Sequence, residues 1–358
     1  MVMSVMTTQQ AIVSETLTID TIFSYSTSTK PIIAANYTFL GPLIQAYEND
    51  PIIVRVIYKL AQPTTIHWHG MFQIGTPNMD EKRLIGPLII RRQVEPNGQL
   101  YDTERILMVS DWYNVVARRK LSSWYLSTNN PDGIEPIPDA VVVNGKFSQS
   151  LFVTTSNATR IRFRIINAAA FSMFTVSIDG LPLHIIELDQ TAVVSCTVSS
   201  FSINAAQRVS FYVNLNEFND TFVPPDLLPI KSVYIRFRAD VEMYPVDIRN
   251  YIAPYATQYL PYPIFCNPLY LATLSFAPSD YPQAEQLHST SYLKRDVVSV
   301  PASGWAKIRF LVNNPGVWLL NCQIDCHMDA GLILALIVGP KQLVAQGYTV
   351  TVNQLSFC

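Results

Sequence analysis

Short apolar runs broken by proline, glycine and asparagine recur along nearly the whole chain. Ile52 to Tyr58, Arg160 to Ile166, Ser210 to Asn214 and Lys307 to Val312 are rich in Val, Ile, Phe and Tyr. Runs of that length and composition predict β-strands. Arg160 to Ile166 alternates charged and apolar residues, the pattern of a strand with one wet face. No helical stripe extends beyond a couple of turns. With 24 prolines the pattern predicts a loop-rich all-β protein built from β-sandwiches. Two boundaries are expected. One lies in the polar segment from Gln99 to Glu104, the other in the Pro- and Tyr-rich stretch from Tyr259 to Pro282.

Composition narrows the picture. The 358 residues are 49% hydrophobic and 15% charged, enough apolar material for two or three cores. A net charge of −2 gives no electrostatic case for nucleic acid or an anionic membrane as partner. No apolar run is long enough for a membrane-spanning helix. The N-terminus has no basic flank followed by an apolar core, so no signal peptide is recognisable. Sequons at Asn36, Asn157 and Asn219 lean towards secretion. The five cysteines (Cys196, Cys266, Cys322, Cys326, Cys358) are odd in number, and their spacing shows neither a disulfide framework nor a zinc pattern.

The candidate chemistry lies near the C-terminus. After the turn at Pro315-Gly316 an apolar run reaches Asn321-Cys322-Gln323-Ile324-Asp325-Cys326-His327. A thiolate and an imidazole at close range are soft ligands of the kind that hold copper for electron transfer. A second cluster is Thr65-Ile66-His67-Trp68-His69-Gly70. Its histidines are two apart on an apparent strand, so both imidazoles would project from one face, ~7 Å apart along it. The alternatives are a pair of surface histidines and, at the C-terminal stretch, two buried thiols or a local disulfide.

Together these stretches resemble the copper motifs of multicopper oxidases of the laccase and ferroxidase type. Further marks follow in family order: Gly41-Pro42, Ile85-Gly86-Pro87, Ser110-Asp111-Trp112-Tyr113, Glu135-Pro136-Ile137-Pro138, Ile178-Asp179-Gly180, Ala206-Gln207-Arg208 and Arg295-Asp296-Val297-Val298. The resemblance implies tandem cupredoxin-like Greek-key sandwiches. They would span a shortened first domain over 15–103, an apparently complete second over 104–265 and a remnant of a third over 266–345.

It also implies copper as cofactor, with dioxygen and a small reducing substrate as partners, and an extracellular location. Cys322 and His327 take the places of type 1 copper ligands, and Leu332 takes the axial position. His67 and His69 take the places of ligands to the oxygen-reducing cluster. Glu135 resembles a ferrous-iron ligand of fungal ferroxidases, although the same Glu-Pro string is also seen in family members that oxidise phenols and an exposed carboxylate is more often simply solvated.

The departures are as informative as the matches. Asn321 and Gln323 stand where the family has histidines, and amide oxygens are poor copper ligands. Two further histidine motifs are missing. The resemblance implies a need for ten histidines and one cysteine, whereas the chain has five histidines, of which His184 and His288 match no ligand. Four-electron reduction of oxygen by this polypeptide alone is therefore not expected. The losses fall at whole motifs, the pattern of an incomplete gene model, a splice product or a decaying paralogue. A non-catalytic sandwich protein and a single-copper protein are the alternatives to an oxidase.

Overall fold

The computed structural model describes residues 11–23, 31–61, 66–71, 84–114, 124–147, 158–219, 221, 234–240, 243–244, 275–276, 294–300, 304–306 and 308–347. The first unit holds β1 (Val13–Ile22), β2 (Ile32–Ala35), β3 (Ile44–Tyr47), β4 (Ile52–Tyr58) and β5 (Leu88–Arg91). β1 lies between β2, antiparallel, and β4, parallel, while β3 pairs in parallel with β5. Alternation turns Leu17 and Ile19 of β1 inward. β4 ends its sheet and leaves Ile53, Val56 and Ile57 exposed.

The second unit carries most of the buried core. Its large sheet runs β12-β11-β14-β9-β6-β7-β8. These strands are β6 (Thr103–Trp112), β7 (Ala140–Val143), β8 (Lys146–Phe147), β9 (Arg160–Asn167), β11 (Leu183–Leu188), β12 (Thr191–Val198) and β14 (Arg208–Asn214). The facing sheet has β10 (Phe174–Ile178) between β13 (Ser200–Ile203) and β15 (Ile235–Ala239). Leu107, Ile165, Leu183 and Phe211 from one sheet meet Phe174, Val176 and Ile203 from the other in a single cluster. Apolar surface is removed from water on both inner faces, as a sandwich requires.

In the third unit the described residues form two short ribbons. β16 (Ser275–Phe276) pairs with β17 (Trp305–Ala306), and β18 (Gly316–Asn321) with β19 (Ile333–Val338). Helix α1 (Asp325–Asp329) sits in the β18–β19 connection, and α2 (Pro340–Ala345) follows β19. The all-β, tandem cupredoxin-like architecture is as expected.

Four details differ from the sequence reading. Beyond Arg160, whose side chain is 40% exposed, the charged face of β9 is not wet: Arg162 and Arg164 are 2% and 8% exposed. They are buried because carboxylates meet them. Arg162 bonds Glu187 at 2.5 Å and Tyr101 at 2.8 Å, and Arg164 bonds Glu104 at 3.1 Å and Glu187 at 3.3 Å. Arg91 of β5 also pairs with Glu104, so this network fastens the first unit to the second. Buried charge is tolerated when it is paired in this way.

Second, Ile308 to Val312 is not a strand. Phe310 and Leu311 are 59% and 80% exposed, and among the described residues no strand pairs with this run. A run of β-formers without a neighbouring edge has no ladder to join. Third, His67 and His69 lie in an irregular segment and turn, with Gly70 at φ 77°. Fourth, Cys196 is disulfide-bonded, and the other half of the bridge lies outside the described residues. The expected linker from Tyr259 lies outside them too, apart from Ser275–Phe276.

Candidate metal centre

The β18–β19 ribbon creates the first site. The Cys322 N–H donates to the Leu332 carbonyl at 3.0 Å, and the Leu332 N–H to the His327 carbonyl at 2.9 Å. This closure folds the chain between them back on itself. It brings His327 Nδ1 to 3.7 Å from Cys322 Sγ. The Ile324 N–H also points at the sulfur, at 3.4 Å. Across the ring, His327 Nε2 is 2.8 Å from Glu135 Oε1, which comes from a loop of the second unit.

The connection is seated on that unit. The Asp325 N–H donates to the Ala170 carbonyl at 2.9 Å. Ala170 to Ser172 are in turn held by Asp111, whose carboxylate accepts the N–H groups of Ala170 (2.8 Å), Phe171 (2.8 Å) and Ser172 (3.1 Å). Ile324 packs beside Ala170, Phe171 and Tyr244.

Charge follows this geometry. The bond to Cys322, then that to Glu135, raises His327 to about 9 against some loss from burial. Burial pushes the Cys322 thiol up, but the His327 and Ile324 hydrogen bonds outweigh it and hold the thiol below its ordinary value. Burial likewise raises Glu135, and the hydrogen bond from His327 more than reverses it.

The donor set fits a thiolate–imidazole copper site in two respects. With metal–ligand bonds of ~2.0–2.3 Å, a sulfur–nitrogen separation of 3.7 Å corresponds to an angle near ~120°, the trigonal value. A carboxylate on the second ring nitrogen fixes the tautomer that leaves Nδ1 free to bind a metal. In a third respect the set is incomplete: among the described residues no three His, Cys, Asp or Glu side chains converge on one point. Leu332 is next to the site through its backbone, but its side chain is 59% exposed. Cys326 and Cys322 are both half-buried thiols, and no disulfide links them. Asn321 turns its amide to the Cys322 carbonyl at 2.9 Å.

At the second site the His67 and His69 rings meet edge to face, with centroids 5.5 Å apart. His69 Nε2 is buried, has no hydrogen-bond partner among the described residues, and lies 3.8 Å from Asp296 Oδ2. Burial lowers His67, and Asp296 only partly restores it. Burial and then the Arg208 charge take His69 down to about 4. Both rings are therefore neutral at pH 7, the form that binds metals.

The turn after them rests on polar groups from both other units. Arg208 holds Asp296 through two bonds of 2.7 and 2.8 Å, and Arg295 holds Asp189 at 2.6 Å. Gln190 Nε2 donates to the Gly70 carbonyl and to Asp296. A Cβ on Gly70 would run into Gln190, Asp296 and Arg208.

In the sequence, Asp111, Arg208 and Asp296 stand out only as family marks. Their supporting roles arise from contacts between distant segments, and their only local signal is a charged residue inside an apolar mark. His184 is satisfied without metal: it stacks on Tyr212 and bonds Thr197 at 2.9 Å and Glu217 at 2.8 Å. His288 lies outside the described residues.

Comparison with known proteins agrees with this architecture. Residues 18–96, 103–223 and 271–342 each match a multicopper oxidase family profile. Laccase-4 of Thanatephorus cucumeris is 30% identical over 243 residues, covering 52% of this chain and 45% of that protein. Laccase-5 of Trametes villosa is 22% identical over 461 residues, covering 86% of this chain and 85% of that protein. The chain thus spans less than half the length of some curated relatives it matches.

Among solved structures, Fet3p, "a Multicopper Oxidase that Functions in Iron Import", superposes with a TM-score of 0.64. That match has 18% identity and covers 97% of this chain and 94% of Fet3p. The laccase from Botrytis aclada gives 0.66 at 16% identity, covering 97% and 91%. Three family segments in order, on a tandem cupredoxin-like fold, establish that this chain belongs to the multicopper oxidase family.

Proposed function

We propose that the chain is a laccase- or ferroxidase-like oxidoreductase by descent, reduced to a single thiolate copper centre. Cys322 and His327 would hold the ion, and His67 and His69 are the remnant of the oxygen-reducing cluster. The observation that carries this reading is the line Glu135–His327–Cys322, at 2.8 and 3.7 Å. When bound there, copper would supply a one-electron acceptor. Glu135 then has two tasks: it accepts the Nε2–H proton of His327, and its carboxylate offers a hard oxygen ligand for ferrous iron beside that ring. The same carboxylate could accept the proton of a phenol, so the reading covers phenols and ferrous iron alike as reducing substrates. Dioxygen would be the oxidant, although reduction to water is impaired because two histidines cannot hold a trinuclear cluster. Secretion and glycosylation belong to the same reading, supported by the sequons. No described helix is long and apolar enough to cross a membrane.

A second reading, a non-catalytic sandwich protein, is favoured by the absence of a three-donor group among the described residues. Copper stoichiometry with a visible spectrum and oxygen uptake, on copper-reconstituted chain, separates the readings. One copper with a strong red band, lost in Cys322→Ser, supports the first. No bound copper supports the second. Near four coppers with oxygen uptake would overturn both.

A further inference from the structure

We infer that Asn130 is a positioning residue of the C-terminal site: its buried amide, with the Tyr113 hydroxyl on the far side, holds the Glu135 carboxylate against His327. The inference rests on the proposed copper reading and deepens it, because the line Glu135–His327–Cys322 works only while its outer member is fixed.

The loop that carries Glu135 meets a ring 192 positions away in the chain. From Pro131 to Pro138 it has neither helix nor strand, so side chains set its course. Pro136 fixes one half: the residue before a proline is confined to extended backbone, which leaves Glu135 little freedom. Asn130 fixes the other half. The chain turns back at Gly133, at φ 64°, where the Gly133 N–H donates to the Asn130 carbonyl at 3.1 Å. This turn lays Ile134 along the Asn130 side chain. Oδ1 accepts the Ile134 N–H at 3.0 Å, and Nδ2 donates to the carbonyls of Ile134 at 2.9 Å and Tyr125 at 3.3 Å. The amide thus pairs with Ile134 much as a neighbouring strand would. Trp124 Nε1 donates to the same Ile134 carbonyl at 3.0 Å. Beyond Glu135, the Tyr113 hydroxyl donates to the Pro136 carbonyl at 3.2 Å. Glu135 is therefore held from both sides.

The position demands a carboxamide. Asn130 is 6% exposed, and its contacts call for an acceptor and a two-proton donor on one short side chain. An aspartate of the same shape keeps the acceptor, loses both donations and turns a second charged oxygen towards two carbonyls. A carboxylate that supports a metal ligand must stay within roughly 0.5 Å of its working place, so slack at Ile134 is felt at His327 Nε2.

The test is a double-mutant cycle on the full chain with Asn130→Asp and Glu135→Ala. Copper affinity is read by titration against a competing chelator. In parallel, nuclear magnetic resonance on copper-free protein reads solvent exchange of the His327 Nε2 proton, which the bond to Glu135 protects. Asn130→Asp should lower copper affinity about threefold or more, but no further than Glu135→Ala does. It should speed exchange of that proton about tenfold or more. In the Glu135→Ala background it should change neither, whereas a merely structural role would cost the same in both backgrounds. Wild-type affinity and exchange in Asn130→Asp overturn the inference, as do equal losses with and without Glu135. Should Asn130→Asp fail to fold, Tyr113→Phe removes only the hydroxyl brace and should show the same dependence on Glu135; an effect independent of Glu135 overturns the inference equally. A wild-type chain that takes up no copper counts against the copper reading alone, and proton exchange across the same cycle still decides the role of Asn130.

Discussion

The two histidine sites belong to one chain and have opposite electrostatics. His327 lies between a thiol and a carboxylate and is raised to about 9. His69 is buried beside an arginine, with Nε2 lacking a hydrogen-bond partner among the described residues, and is lowered to about 4. Both are candidate copper ligands, so ligand identity alone does not set protonation. Partners placed on the ring nitrogens favour the charged form, whereas burial without them disfavours it. A metal arriving at His327 must expel a proton at pH 7; one arriving at His69 need not.

The largest effect that would sharpen this contrast is structural. Asp111→Ala strips three buried N–H groups of their acceptor and releases the loop that seats Asp325. Unfolding in urea should show a loss of ~3–5 kcal/mol, and the Cys322–His327 site should be disturbed more than the His67–His69 site. Equal disturbance of both, read from imidazole proton resonances, would break the argument that the two sites have separate supports.

The pH dependence of stability comes next. His69 is depressed in the folded state, so the unfolded chain binds more protons between about 4 and ~6.5, and stability falls as pH falls through that window. The contribution is at most ~3 kcal/mol, and His69→Gln should remove it. His327 has the opposite sign: its contribution is complete below ~6.5 and is lost as pH rises through about 9. Denaturation midpoints measured across pH in the two variants, His69→Gln and His327→Gln, check both signs. Acid and base sensitivity moving together would break the comparison.

Glu135→Ala removes the carboxylate from Nε2. Copper affinity at Cys322–His327 should fall by roughly 10–100-fold, and His327 should titrate closer to the ordinary imidazole value. Equilibrium titration against a competing chelator measures the first effect, and nuclear magnetic resonance the second. No change at His67 or His69 is expected. The smallest effect is Gly70→Ala, which forces a side chain into a left-handed turn against Gln190, Asp296 and Arg208. It should cost ~1–3 kcal/mol and shift the His69 resonance, leaving His327 unmoved.

Strand periodicity made β4 and β9 legible, because a half-buried ladder selects β-branched and aromatic residues at a two-residue spacing. The Cys322–His327 pair was legible too, since a five-residue separation brackets one tight connection. The burial of Arg162 and Arg164 was not. Alternating charge looks the same whether the charged face meets water or a neighbouring unit with carboxylates at matching positions. The strand expected over Lys307–Val312 does not form over the described 308–312 for a related reason: propensity is local, but a ladder needs a neighbour.

By itself, then, the sequence determined the all-β class, the family and the shortage of imidazoles, because composition and motif order are properties of the chain. Only the tertiary structure decided that Glu135 meets His327 across 192 positions and that Asp296 and Arg208 flank His69. It alone showed that the Asn36 side chain is locked against β1. The physical reason is common to all three. A side chain's charge and reactivity depend on which polar groups reach it once water is removed, and those groups come from distant parts of the chain.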